Sequence, residues 1–351
     1  MQQLITGIQQ AGIGVSNAEQ AKYIYRDLFG MDVLVFDNEA GADLMTQYTG
    51  GSVEQRRAIL SMNMQGGGGF EIWQFTGRSP KEYPGELMIG DIGIFSIKIK
   101  AFDVKKAYTD FCRNKQVTLS PLFLSPEDKP HFWVKDGYGN TFNIVEAGSW
   151  FKKNKKKCGG VAGAVIGVAD MDKALDFYKG LLGIDHILYD ITAPIKDGPA
   201  ENGNNKTYRR VLLSKATAGE GAFSKLLGCM QIELIEAKEH TPARIFKDRF
   251  WGDCGFIHLC FDVSDTEKLK QKALETGYRF TVDSNDSFSM GDAAGRFCYI
   301  EDPFGTLIEL VETHKVPIYK KWGLYINLKK RKTNKPLPDG VVALLGLSKI
   351  K

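Results

Sequence analysis

The sequence predicts an α+β protein built from four βαβββ modules, and three observations carry that prediction. A long internal repeat divides the 351 residues into two copies. Each copy opens on an apolar strand and an amphipathic helix that stops at a glycine. Each copy then runs through a weaker version of the same order, alternating one helix with several short strands.

The long repeat is ungapped at its start. Residues 12–37 align on residues 165–190 at an offset of 153, with Ala21/Ala174, Tyr25/Tyr178, Leu28/Leu181, Gly30/Gly183 and Asp32/Asp185 as landmarks. Near the end of each copy, residues 136–146 align on 302–312 at an offset of 166. The offset grows by only 13 residues (166 against 153), so the insertions belong to loops. These boundaries give a first domain over 1–150, a basic linker over 151–159, a second domain over 160–314 and a basic tail over 315–351.

In chain order, a strand at Ala11–Val15 leads into a helix at Glu19–Leu28, closed by Gly30 as a C-terminal stop. Strands follow at Asp32–Phe36, Arg57–Met62 and Phe70–Phe75. A second module starts with a strand at Ile92–Ile99 and a helix at Asp103–Lys115, and closes with strands at Phe132–Lys135 and Thr141–Val145. The last module repeats this order with Phe256–Val263, Thr266–Thr276, Phe297–Ile300 and Leu307–Val311. A lone module leaves an apolar sheet face and edge uncovered, so two must pair into a curved cup. The expectation is one cup per copy, from neighbouring modules.

Composition narrows the function classes. The chain is 43% hydrophobic and 25% charged, and no apolar run approaches the ~20 residues of a membrane span. The start, Met1 to Thr6, lacks a basic and an apolar region of a secretory signal, and a cytoplasmic location is expected. Six cysteines without a CxxC pair read as free thiols, and Cys254-x-x-x-His258-x-Cys260 matches no standard zinc spacing. From Lys320 to Lys351 nine Lys or Arg face a single Asp, and a second basic run spans Lys152 to Lys157. Neither carries the aromatic interleaving of a nucleic-acid interface, so both read as solvated segments. Gly66 to Gly69 lacks a following Lys-Ser/Thr, which leaves a flexible hairpin tip rather than a phosphate loop. The expected partner is a small molecule, not nucleic acid or membrane.

The openings, such as Ile166-Gly-Val-Ala-Asp-Met-Asp-Lys-Ala-Leu-Asp-Phe-Tyr178, and the closing hairpin Phe297-Cys-Tyr-Ile-Glu-Asp-Pro-Phe-Gly-Thr-Leu-Ile-Glu309 resemble the vicinal oxygen chelate superfamily. That group contains glyoxalase I, extradiol dioxygenases and bleomycin-resistance proteins. The resemblance covers residues 6 to 148 and 160 to 314, and implies two tandem glyoxalase-like domains with cup-shaped mixed sheets. It also implies a divalent metal in the cup, held by residues of the first and last strands of each module.

Carried over residue by residue, the resemblance offers Gln10, Glu71, Ile94 and Asn143 in the first copy, and Gly163, Glu233, His258 and Glu309 in the second. The first set has one charge and no imidazole, so its site reads as degenerate. Period-two alternation puts Trp73 and Phe75 beside Glu71, and Ser96 and Lys98 beside Ile94, a cup for an anionic small molecule or a filled core. The second set supplies one imidazole and two carboxylates, suited to Zn, Mn, Ni, Co or Fe, with Gly163 leaving an open position. Cys260 and Asp262 share the strand face of His258. The expectation is therefore a metal in the second domain only, held by His258, Glu309 and Glu233, with Glu233 as base and Glu309 as firm ligand or the two roles reversed. The implied activity is that of a metal-dependent lyase, isomerase or dioxygenase-type enzyme. A metal-free binding protein of the bleomycin-resistance kind is the alternative, with the His and two Glu forming a hydrogen-bonded polar cluster.

Overall fold

The computed structural model describes residues 3–152, 156–199, 206–215, 219–285, 288–290, 293–319, 324–329, 331 and 335–351. Its modules fall where the repeat places them. Module 1 is β1 (Ile5–Gly14), α1 (Ala18–Phe29), β2 (Val33–Gly41), β3 (Gln55–Met62) and β4 (Gly69–Phe75). Module 2 is β5 (Gly93–Ala101), α2 (Val104–Phe111), the short β6 (Thr118–Leu119) and β7 (Phe123–Leu124), β8 (Pro130–Lys135) and β9 (Thr141–Glu146). Module 3 is β10 (Cys158–Val168), α3 (Met171–Leu175) running on through a π-helical turn, β11 (His186–Pro194), β12 (Thr207–Ser214), α4 (Ser224–Leu227) and β13 (Gln231–Ala237). Module 4 is β14 (Gly255–Val263), α5 (Thr266–Glu275), β15 (Phe280–Asp283), β16 (Phe288–Met290), β17 (Ala293–Glu301) and β18 (Leu307–Tyr319). The chain ends with β19 (Leu324–Asn327) and α6 (Asp339–Leu344).

One local device starts all four module helices. Asn17, Asp103, Asp170 and Asp265 each sit in extended backbone, and their side chains accept the N–H three residues on. Gly30 closes α1 in the left-handed region (φ 71°), where its N–H donates to the Arg26 carbonyl at 2.9 Å.

The sheets do not follow the copies. One runs β15-β17-β18-β14-β1-β4-β3-β2, and the other β11-β12-β13-β10-β5-β9-β8-β6. The joins are antiparallel pairs of first strands, β1 with β14 and β10 with β5. Modules 1 and 4 therefore share one cup (cup A), and modules 2 and 3 share the other (cup B). This corrects the expectation of one cup per copy. Every module presents the same kind of open edge, its first strand, so strand patterning does not choose the partner.

Within a copy the modules meet through their helices instead. Tyr25 of α1 donates to Asp136 in the closing turn of module 2 at 2.8 Å, and Tyr178 does the same to Asp302 of module 4 at 3.1 Å. Phe29 packs on Phe111 and Phe142, and Phe177 on Tyr278. These residues join one apolar core that takes Phe70, Ile72, Phe132, Ile166, Ile232 and Leu259 from both sheets, on the faces opposite the cups. No helix among the described residues is long and apolar enough to cross a membrane.

The basic tail is not a solvated segment. β18 continues past residue 314 and pairs with β19, and the Leu337 N–H donates to the Ala222 carbonyl at 2.9 Å. At the far end, Leu34 and Ile350 exchange backbone bonds with Ser348 and Asp32, and Lys349 pairs with Asp32 at 2.7 Å. Leu337 and Val342 are fully buried against module 1 and Phe223. Apolar residues spaced among the basic ones drive this docking; Lys320, Lys321, Lys330 and Lys332 lie outside the described residues. In the linker, Lys153 and Lys155 also lie outside them, while Lys156 pairs with Asp32 and Cys158 already begins β10. The glycine run is likewise packed rather than free: a Cβ on Gly66 would stand 2.0 Å from the Gly159 carbonyl oxygen.

Because the tail is part of the fold, Leu337→Ala is expected to lower stability by about 2–5 kcal/mol, as a buried leucine truncation does. Urea unfolding of the variant checks this, and an unchanged midpoint would return the tail to solvent.

Candidate metal centre

Cup A gathers four oxygen and nitrogen donors from four strands. Gln10 on β1, Glu71 on β4, His258 on β14 and Glu309 on β18 all face inward and are buried. His258 Nε2 lies 3.3 Å from Glu71 Oε2 and 3.2 Å from Glu309 Oε2, and Gln10 Nε2 donates to Glu309 Oε2 at 3.3 Å. On the other side of the ring, Tyr299 OH stands 3.2 Å from His258 Nδ1. The ring fits because residue 12 is glycine: a Cβ there would lie 2.3 Å from His258 Cε1.

The donor set fits a divalent ion. Glu71, His258 and Glu309 each present one ligand atom, all within 4.8 Å of one another. Donors bonded to a common ion at ~2.0–2.2 Å stand about 3–3.5 Å apart, as these contacts do. Glu71 Oε2, His258 Nε2 and Gln10 Oε1 are buried without a well-directed hydrogen bond. Nε2 is close to both carboxylates yet aimed squarely at neither, the geometry of atoms converging on a shared point. Two carboxylates and one imidazole also leave negative charge that an ion would balance. Without one, burial pulls the imidazolium down, but Glu309 and Glu71 outweigh it and push His258 up to about 9.

The donors open onto a cavity of about 340 Å³. Its walls are mostly apolar, with Phe36, Leu60, Met62, Trp73, Trp251 and Phe297 among them, and Leu345 and Ser348 of the tail complete the lining. Trp73 thus sits where the strand alternation puts it, beside Glu71.

Glu233 does not belong to this group. It lies in cup B, where Lys98 Nζ stands 2.7 Å from its Oε2 and Arg210 reaches its Oε1 at 2.7 and 2.9 Å. Tyr189 OH donates to the same oxygen at 2.7 Å. Arg210 continues to Asp197 at 2.6 Å, Asp197 to His131 at 3.2 Å, and His131 to Asn143 at 3.0 Å. Burial works against the Glu233 carboxylate, but Lys98 and Arg210 hold it well below the usual range. Cup B retains a cavity of only about 30 Å³, room for a water molecule. The expected base is therefore a structural anion, and Lys98, expected beside Ile94 in the cup of the first copy, is its counter-ion.

Register corrects one further assignment. Cys260 pairs with Glu309 as Lys98 pairs with Asn143, so Ser96, not Ile94, stands at the place of His258. Gly12 pairs with Glu71 as Val165 pairs with Glu233, which sets Gly163 at the place of Gln10. The two sets thus recombine: cup A holds Gln10, Glu71, His258 and Glu309, and cup B holds Gly163, Glu233, Ser96 and Asn143. Pooling donors across copies would have exposed this, since only the crossed pairing yields one complete set. Tyr299 carried no sequence signal of its own, because its role depends on the ring it faces.

Cys260 is fully buried beside Glu309, and burial raises its thiol well above the usual range. Cys254 lies outside the donor group. All six cysteines are free thiols. Asp262 is buried.

Comparison with known proteins agrees with the fold. Residues 160–310 match the family model described as Glyoxalase/Bleomycin resistance protein/Dioxygenase superfamily. Glyoxalase I from Zea mays aligns at 14% identity over 87% of this chain and 92% of that one, with a TM-score of 0.53. A putative dioxygenase from Bacillus subtilis aligns at 13% identity over 88% and 86%, with a TM-score of 0.55. No curated protein sequence matches the chain. Residues 160–310 thus resemble this superfamily, and most of the chain shares its fold with the two solved structures.

Burial pushes the Asp262 carboxyl up to about 7, well above its unfolded value near ~3.9. A raised value means that its contribution to stability is full below about pH 4 and is lost as pH rises through about 7. Asp262→Asn should remove that part of the descent. Urea midpoints of both proteins across this range check it; parallel curves would contradict it.

Proposed function

We propose that the chain is a metal-dependent enzyme of the lyase or isomerase kind, acting on a small molecule in the cup shared by modules 1 and 4. The observation that carries this reading is the convergence of Glu71, His258 and Glu309, with Gln10 hydrogen-bonded to Glu309, beside a mostly apolar cavity. Likeness in fold to glyoxalase I and to a putative dioxygenase supports an enzyme rather than a passive binder.

A bound divalent ion would supply Lewis acidity toward a substrate carbonyl or hydroxyl oxygen. The rest falls to the protein. Tyr299 engages Nδ1 of His258 and so leaves Nε2 for the ion, the arrangement that orients histidine ligands in metal sites. Gln10 steadies Glu309 through its amide. Glu309 is the more exposed carboxylate, 8% against 4% for Glu71, and is the one placed to take a proton from a carbon beside the bound oxygen. Glu71 remains an anionic ligand, and the aromatic walls keep bulk water from the reacting carbon. With one imidazole and two carboxylates, the set departs from the two-His-one-carboxylate group of ring-cleaving iron dioxygenases.

Protein purified without chelator is expected to carry about one equivalent of a divalent metal per chain. His258→Ala should reduce it to less than about a tenth, while Glu233→Gln in cup B leaves it unchanged. Elemental analysis reads both. A wild-type content below about a tenth would favour the metal-free binding protein instead.

A further inference from the structure

Among the described residues, buried Lys22, Lys98 and Arg210 meet carboxylates, whereas Lys100, Lys215 and Arg56 meet only neutral oxygens. Lys98 and Arg210 share Glu233, Lys100 donates to the Gly66 and Leu227 carbonyls, and Lys215 donates to the Ile5 carbonyl. Arg56 on β3 is only 6% exposed, yet it forms no ion pair among the described residues. One terminal nitrogen donates to Asn38 O at 3.0 Å and Oδ1 at 2.9 Å, while its Nε is buried without an acceptor. Its guanidinium lies 4.9 Å above the ring of Trp73, whose indole Nε1 is also buried without an acceptor. Both side chains line the cavity of cup A. The register partner of Arg56 is Phe75, and at the matching place in cup B, opposite Ala237, stands Tyr208. A cation without a carboxylate at this place is therefore particular to the open cup.

A guanidinium withdrawn from water is costly unless an anion meets it. The Arg56 Nε and the neighbouring Trp73 Nε1 lack acceptors, and a carboxylate offers a planar pair of oxygens to an arginine fork. The surrounding walls are aromatic and aliphatic, so the remainder of the ligand is apolar. A single cation balances a single negative charge, whereas a phosphate dianion would leave charge against apolar walls. Trp73 and Glu71 share one strand face two residues apart, about 7 Å at ~3.3–3.4 Å per residue, which separates the anion end from the donor group.

We infer that cup A takes an apolar carboxylate, ring-bearing or branched, whose acid group is gripped by Arg56 and Trp73 and whose oxygen function lies across the cavity at Glu71, His258 and Glu309. The second half of this statement rests on the metal reading above; the first half stands on Arg56 and Trp73 alone.

The test titrates the full chain with para-hydroxyphenylacetate, its methyl ester and phenyl phosphate, read by the fluorescence of the cavity tryptophans. The acid is expected to bind at least about 10-fold more tightly than the ester, the scale of a charged hydrogen bond. Arg56→Gln should erase that preference, Arg56→Lys should keep part of it, and the metal content of both should match wild type. Acid and ester bound equally by the wild type, no binding of the acid, or tighter binding of phenyl phosphate would overturn the proposal without recourse to any variant. Metal-free protein that still prefers the acid would sink the metal reading and spare this one; metal-loaded protein with no preference would do the reverse.

Discussion

The structure depends on the antiparallel pairing of first strands, β1 with β14 and β5 with β10. A βαβββ module alone leaves that strand as an open edge with unpaired N–H and C=O groups. Pairing closes both edges and sets the register that lays His258 over Gly12 and brings Glu309 within reach of Gln10. The helices perform the other task, binding the two modules of each copy through Tyr25 and Asp136, or Tyr178 and Asp302. Strands join across the copies and helices join within them. Neither set of contacts alone would place a donor.

The cups show what a few exchanges on one scaffold do. In cup A, Gly12 leaves space that His258 fills, and Ala58 beside Trp73 leaves the cavity open. At the matching places in cup B stand Val165, Ser96 and Arg210, and Lys98 replaces Cys260. Both cups keep a carboxylate on the fourth strand of a module, yet its neighbours decide its part. Glu71 faces an imidazole and a second carboxylate, an arrangement that calls for a cation. Glu233 already has two, and removing either would leave charge buried and unpaired.

Much of this was legible in the chain. Helix starts near Glu19, Asp103 and Thr266, the stop at Gly30 and the strand alternation around Glu71 and Trp73 are local properties, and local chemistry fixes them. The candidate donors were also legible, since Gln10, Glu71, His258 and Glu309 all lie at positions that the family resemblance marks. Their grouping was not. Which edges pair is settled between residues some 250 positions apart, as with Gly12 and His258, and no periodicity reports on that. The tail misled for a related reason: its charges are conspicuous, while Leu337 and Val342, which dock it, are few and widely spaced.

The donors of the proposed metal site come from both copies, Gln10 and Glu71 from the first and His258 and Glu309 from the second. Crystals grown with Mn or Zn, with data collected at the absorption edge, test this assignment directly. One anomalous peak per chain is expected, within bonding distance of Glu71, His258 and Glu309. A peak beside Glu233, or none in either cup, would contradict it.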